Sequence, residues 1–232
     1  MKYSTDALDD TLYEAGEPSL PKNNLPKKVK IDTTKRPKLN SMTSSEISEY
    51  IFAFIKKSKK HGILADAEDL SPPFDTLCSY ESGDSTNLAE CVKSSYPEIL
   101  NIKRDNTLRV LIISSSAIRA TELIRQLGSL RQDLGVGKCF AKHFKIEDQL
   151  KFFDSKCPSI SVGTPNRLAK LFSSGHKYFT MDSVDLCIID THRDLKQRNI
   201  FEIPETCSDL LDFYISNILP ALKSSRTKLV FF

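Results

Sequence analysis

The chain has 232 residues, enough for one well-buried domain plus a tail and too few for two full domains without crowding. Its 40% hydrophobic and 27% charged residues are ordinary for a globular protein with some unpacked sequence, and a formal net charge of only +3 excludes a polycation that coats nucleic acid by bulk electrostatics. No run approaches about 18 apolar residues and the opening MKYSTDALDD holds no apolar signal stretch, so a soluble, intracellular protein without a membrane span is expected.

Residues 1 to about 42 carry Pro18, Pro21, Pro26 and Pro37, few large apolar side chains and no sustained period, which predicts a disordered arm ahead of a domain over 43–232. Its charge is segregated. Asp6, Asp9, Asp10, Glu14 and Glu17 come first, and Lys22, Lys27, Lys28, Lys30, Lys35, Arg36 and Lys38 follow against the lone Asp32. The second block has the composition of a nuclear-import or nucleic-acid-contacting segment, with an import receptor as the implied partner; a solvated tail has the same composition.

From Ser44 the pattern changes. Ile47, Tyr50, Ile51, Phe54 and Ile55 recur at helical spacing, with Ser45 and Glu49 as polar residues at the front, and predict an amphipathic helix through about Lys60. The stretch from Gly62 to Gly83, with Pro72-Pro73, reads as a loop, and a second helix is expected around Leu88 to Tyr96. Strand and helix then alternate: a strand over Arg109–Ser114, a helix over Ala117–Leu130, a strand over Cys139–Phe144, a helix over Ile146–Phe153, a strand over Ser159–Val162, a helix opened by Thr164-Pro165, and a strand over Val184–Ile189. A long helix over Ser208–Lys223, kinked or ended near Pro220, leads to a last apolar run at Leu229–Phe232. Short apolar strands separated by helices predict a three-layer α/β sandwich with a mostly parallel sheet.

The cysteines Cys78, Cys91, Cys139, Cys157, Cys187 and Cys207 form no C-x-x-C pair and read as reduced core residues. His61, His143, His176 and His192 lack metal-ligand spacing, so no metal is assigned.

In a parallel sheet, ligands bind beyond the carboxyl ends of the strands, which directs attention to Ser114-Ser115-Ser116, Gly163-Thr164-Pro165-Asn166-Arg167 and Asp190-Thr191-His192-Arg193. Ser115, Ser116, Arg119, Thr164, Pro165, Arg167 and Arg193 are the candidate phosphate-contacting residues, and the helicase resemblance given next implies RNA as the ligand. Hydroxyls, arginines and helix-start amides are the groups that meet phosphate; each set also reads as an ordinary helix start, with Thr164 as cap and Pro165 at the first helical position.

In their order these segments resemble the motifs of the first RecA-like domain of DEAD-box RNA helicases. Val162-Gly163-Thr164-Pro165-Asn166-Arg167-Leu168 is similar to V-x-T-P-G-R-L. Leu186–Arg193 is similar to the strand ending in Asp-Glu-Ala-Asp, with Asp190 kept, Thr191 where the glutamate positions water, and Arg193 where the last Asp stands. Loss of such a base costs about 10²–10⁴ in rate, so hydrolysis is expected to be disabled. Residues 44–108 hold no G-x-x-x-x-G-K-[ST] phosphate loop. Gly135-Val136-Gly137-Lys138-Cys139 imitates one, but has Gln132 where the first Gly belongs, Cys139 for Ser or Thr, and a place after the Ser114 strand instead of before it. No nucleotide or other cofactor is expected, nor the second RecA-like domain.

Together with Phe140-Ala141-Lys142-His143-Phe144 and Ser114–Ala120, these features make the chain resemble, over about 46–232, the fungal and animal family of nucleolar proteins of early small-subunit pre-ribosomes, built on a degenerate helicase fold. The resemblance implies a non-catalytic assembly factor in the nucleus and nucleolus, with pre-ribosomal RNA and pre-ribosomal proteins as partners. A protein-only interaction module and a divergent ATP-dependent RNA helicase stay open as alternatives, as does the oligomeric state.

Overall fold

The computed structural model describes residues 39, 42–62, 70–80, 87–101, 107–140 and 145–232. The proposed arm lies outside them, except for Leu39 and Met42. Leu39 is buried and Met42 packs on the same core, so the domain recruits residues that composition assigned to the arm.

Six strands form one all-parallel sheet: β1 (Leu77–Ser79), β2 (Val110–Ile113), β3 (Val136–Cys139), β4 (Ile160–Gly163), β5 (Leu186–Ile189) and β6 (Lys228–Phe231), in the order β1-β6-β5-β2-β4-β3. The helices are α1 (Ser44–Lys57), α2 (Leu88–Ser95), α3 (Ala117–Gln126), α4 (Leu130–Leu134), α5 (Ile146–Lys156), α6 (Pro165–Phe172), α7 (Pro204–Phe213) and α8 (Leu219–Lys223).

Alternation along each strand divides the core into two layers. Leu111, Ile113, Ile189, Leu229 and Phe231 face α1 and α5 to α8, whereas Val110, Ile112, Ile160, Val162 and Ile188 face α2 to α4. Links that run one way along the sheet, β1 to β2 and β2 to β3, carry their helices on one face; those that run back carry theirs on the other. Right-handed crossovers require this division.

Several expectations shift. The Gly62–Gly83 stretch, read as a loop, contains β1, whose three residues pair in register with Leu229, Val230 and Phe231. The strand expected over Cys139–Phe144 lies earlier, at Val136–Cys139, and Ala141–Phe144 falls outside the described residues. Gly128, at φ +53, breaks the helix expected over Ala117–Leu130 into α3 and α4. The first helix is capped at Thr43, two residues before Ser45: Thr43 Oγ1 accepts from the Glu46 amide at 3.3 Å and Glu46 Oε2 accepts from the Thr43 amide at 2.8 Å. The last helix begins at Pro204 and passes through a π-helical turn, Tyr214–Ile218, into α8. There the Leu219 amide bonds Tyr214 O, and Pro220, which has no amide proton to satisfy, follows without breaking the rod.

Candidate functional site

Register brings the three motif segments together. Ile113 on β2 stands level with Gly163 on β4 and Ile189 on β5. The Ser114 amide donates to Gly163 O and the Asp190 amide donates to Ile113 O, each at 2.9 Å. With neighbouring strands about 4.8 Å apart, Ser114, Thr164 and Asp190 leave the sheet side by side. The amino ends of α3 and α6 open at this same edge from opposite faces of the sheet.

Gly163 makes the turn into α6 possible. A Cβ there would lie 2.6 Å from Cys139 O and 2.9 Å from Leu168 Cγ, so only glycine lets β4, β3 and α6 meet this closely. Thr164 is extended and takes the cap position, Pro165 holds the first helical position, and the Thr164 side chain makes no cap bond. The Thr164 side chain therefore takes none of the first amides of α6, which lie beside half-buried Arg167 and exposed Asn166. At α3 the serines divide their work. Ser114 is fully buried and donates to Ser116 O at 3.1 Å; exposed Ser116 accepts from the Arg119 amide at 3.2 Å; Ser115 is half-buried.

Two of the candidate arginines turn inward. Arg119 forks onto Asp190, Nε to Oδ2 and Nη2 to Oδ1, both at 3.0 Å, and its Nη1 donates to Glu122 Oε2 at 3.1 Å. Burial opposes the Arg119 charge, but the Asp190 and Glu122 carboxylates outweigh it and hold the guanidinium above its ordinary pKa. Asp190 is 1% exposed and Arg119 14%. Arg193 behaves likewise, donating to Gln197 O at 2.9 Å and Glu202 Oε2 at 2.8 Å. Arg119 thus spends all three guanidinium nitrogens on carboxylates of this chain, and Arg193 commits Nη1 to a backbone carbonyl and a carboxylate of its own loop.

Thr191 is also committed to structure. Its amide and Oγ1 both donate to Phe232 O, at 2.7 and 2.8 Å, tying the end of β5 to the end of β6. Exposed Ser116 and half-buried Ser115, Thr164 and Arg167 also lie at this edge, with Pro165 buried beneath them and His192 exposed.

Gly135–Cys139, which imitates a phosphate loop, is β3 together with the residue before it. Gly137 is pressed against the α5 ring of Phe153, whose Cε1 would stand 2.2 Å from an added Cβ. Its glycine serves packing. The turn from β1 to α2, where a phosphate loop would have to sit, spans residues 81–86 outside the described set. Asn87 then caps α2 through Oδ1, which accepts from the Ala89 amide at 2.9 Å.

All six cysteines are free thiols. Burial pushes Cys91 and Cys139 up to about 12, which removes thiolate character from the core. Among the described residues no cluster of three or more His, Cys, Asp or Glu is placed to hold a metal, and no helix is long and apolar enough to cross a membrane. The import candidates Lys27, Lys28, Lys30, Lys35, Arg36 and Lys38 lie outside the described residues. Sequence reading passed over a second basic group inside the domain: Lys56, Lys57, Lys59 and Lys60 are exposed where α1 ends, and Lys60 reaches Asp212 at 2.7 Å. A count of cations in short windows finds it at once.

The family model for CMS1, U3-containing 90S pre-ribosomal complex subunit, matches residues 75–232, a span that holds all six strands. The chain belongs to the CMS1 family. Among its relatives, human Protein CMSS1 is 30% identical over 176 residues, covering 73% of this chain and 62% of the human protein. Protein CMS1 of Chaetomium thermophilum is 34% identical over 110 residues, 47% of this chain and 43% of that protein, and Protein cms1 of Schizosaccharomyces pombe is 26% identical over 149 residues, 60% and 53%. The chain thus spans less than two thirds of the length of these CMS1-family proteins. The family-model match, residues 75–232, excludes α1 and its lysines and includes every segment of the carboxyl edge.

Proposed function

We propose that this CMS1-family chain is a non-catalytic assembly factor of the early small-subunit pre-ribosome, and that the carboxyl edge of its degenerate helicase-like domain holds the backbone of single-stranded pre-ribosomal RNA. One observation carries the reading. Two helix amino ends, the Ser115 and Thr164 segments and Arg167 share one level edge, while the residues aligned with catalysis are used up internally, Asp190 by Arg119 and Thr191 by Phe232 O. Helix-start amides, hydroxyls and an arginine suit phosphate and read no sequence. The family's description as a U3-containing 90S subunit supports the setting; nuclear and nucleolar residence and pre-ribosomal partners are part of the same reading. The basic arm would contribute entry through an import receptor.

The test is fluorescence anisotropy of labelled single-stranded RNA over a salt series. Arg167→Ala should weaken binding and flatten the slope of log affinity against log salt by about 0.7 for each phosphate that is no longer neutralised. Binding equal to the parent at every salt concentration removes RNA from this edge. A protein-only module then becomes the better reading.

A further inference from the structure

Four residues beyond Asp190, the chain makes a small loop whose construction the RNA reading leaves unexplained. Asp194 N donates to Arg198 O at 2.9 Å and Gln197 N to Asp194 O at 2.8 Å, closing a turn in which Gln197 takes the left-handed conformation, φ +60. The Asp194 side chain fills the turn from within: Oδ1 accepts the amides of Lys196 and Arg198, and Oδ2 accepts Nε and Nη2 of Arg198 at 3.0 and 2.7 Å. Arg193 braces it from outside through Gln197 O. The root is fixed as well, because buried Asn199 donates to Tyr50 OH on α1 and accepts the amides of Phe201 and Glu202.

At the tip of this braced turn stands Leu195, with a relative exposure of 103%. Turn tips ordinarily carry Gly, Asn, Asp or Ser, and a leucine here does nothing for the fold that displays it. A second apolar side chain, Ile118, is 74% exposed on the first turn of α3, next to the arginine that grips Asp190. Exposed His192 and Lys196 flank the tip. A rigid loop loses little entropy when its apolar end is buried by a partner, which is how preorganised anchors gain affinity.

We propose that the Asp194–Arg198 loop is a docking knob for a protein subunit of the pre-ribosomal particle, with Leu195 entering an apolar pocket whose rim carries carboxylates that meet Lys196 and His192. The inference rests on the pre-ribosomal setting proposed above and not on RNA contact.

Chains of this sequence are expressed in cells depleted of the native protein, and their share in U3-containing 90S particles is read on gradients. Leu195→Met keeps an apolar tip and should sediment with particles like the parent. Leu195→Asp should lower particle association by about tenfold with an unchanged melting temperature, since burying a leucine is worth at least that factor and this one is solvated in the free protein. RNA affinity of the free Leu195→Asp chain should equal the parent's. A photoreactive benzophenone residue at position 195 should form an adduct with one protein of the particle, at a segment holding apolar and acidic residues. Undiminished association of Leu195→Asp, an adduct with RNA alone, or no adduct from particle-bound chain overturns the knob and leaves the pre-ribosomal reading standing. Absence of the parent chain from the particles overturns that reading and the knob with it.

Discussion

Replacing Arg119 by Ala should destabilise the domain more than replacing Asp190, although the two form one ion pair. Asp190 is 1% exposed and takes Arg119 on both carboxylate oxygens, so Arg119→Ala strands a buried charge. Opposite charges about 4 Å apart at an effective dielectric near 20 interact by about 4 kcal/mol, in line with the roughly 3–5 kcal/mol forfeited when a buried pair is broken by removing one partner. Asp190→Ala leaves the guanidinium with Glu122 at 3.1 Å and some solvent, so its cost should fall to about 1–3 kcal/mol, that of under-satisfied buried donors. Arg119→Met with Asp190→Leu removes both charges at similar volume and should cost less than Arg119→Ala alone. Urea unfolding of these three variants, of Arg119→Ala combined with Asp190→Ala and of the parent, with m held constant as the check on the denatured state, gives each difference. Equal losses below about 1 kcal/mol for the two single changes, additive when combined, would mean a solvated surface pair and would refute the structural role assigned to Asp190.

Gly163→Ala should cost about 1–3 kcal/mol or more, because its methyl meets Cys139 O and Leu168 at under 3 Å; a melting temperature equal to the parent's would show that β4 and α6 leave room for a methyl group. Purified protein should give no saturable signal with a fluorescent ATP analogue; micromolar binding abolished by Lys138→Ala would restore the Gly135–Cys139 stretch as a nucleotide site despite its place in β3. For Asp194, burial opposes the charge but the Arg198 guanidinium and the amides of Arg198 and Lys196 outweigh it and lower the carboxyl pKa. A lowered folded pKa means that the loop's stabilisation is present above the ordinary carboxylate range, about 3.9, and disappears as pH falls through the folded value. The amide shifts of Lys196 and Arg198 should therefore titrate below that range, and a midpoint at the ordinary value would count against the braced turn. Changing Lys27, Lys28, Lys30, Lys35 and Arg36 to Ala should move a fluorescent fusion to the cytoplasm with the melting temperature nearly unchanged; continued nuclear residence would assign the import address elsewhere.

The α/β class follows from residue order alone, because runs such as Val110–Ile113 and Leu186–Ile189 are apolar at every position and short enough only for strands buried on both faces. The three carboxyl-end segments follow from it too, since a parallel sheet exposes ligands to the loops that follow its strands. Helix starts at Ser116 and Thr164 were legible from local capping chemistry. β1 was not legible, because three residues carry no period and exist as a strand only through pairing with β6. The direction of the arginines was equally hidden. Arg119 lies 71 residues from Asp190, and Arg193 meets Glu202 across a loop, so nothing local distinguishes a guanidinium aimed at phosphate from one folded onto a carboxylate. Sequence order was enough to set Gly135–Cys139 aside as a phosphate loop, but the reason for Gly137, the Phe153 ring of α5 pressed against it, was not legible. The Leu195 turn was missed because its bracing comes from side chains bonding to amides and carbonyls, and residue order alone does not show which of those bonds form. Periodicity and capping act within a few residues and can be read along the chain, whereas pairing partners, charge neutralisation and close approach are set by residues far apart in sequence, and only the folded sheet brings them together.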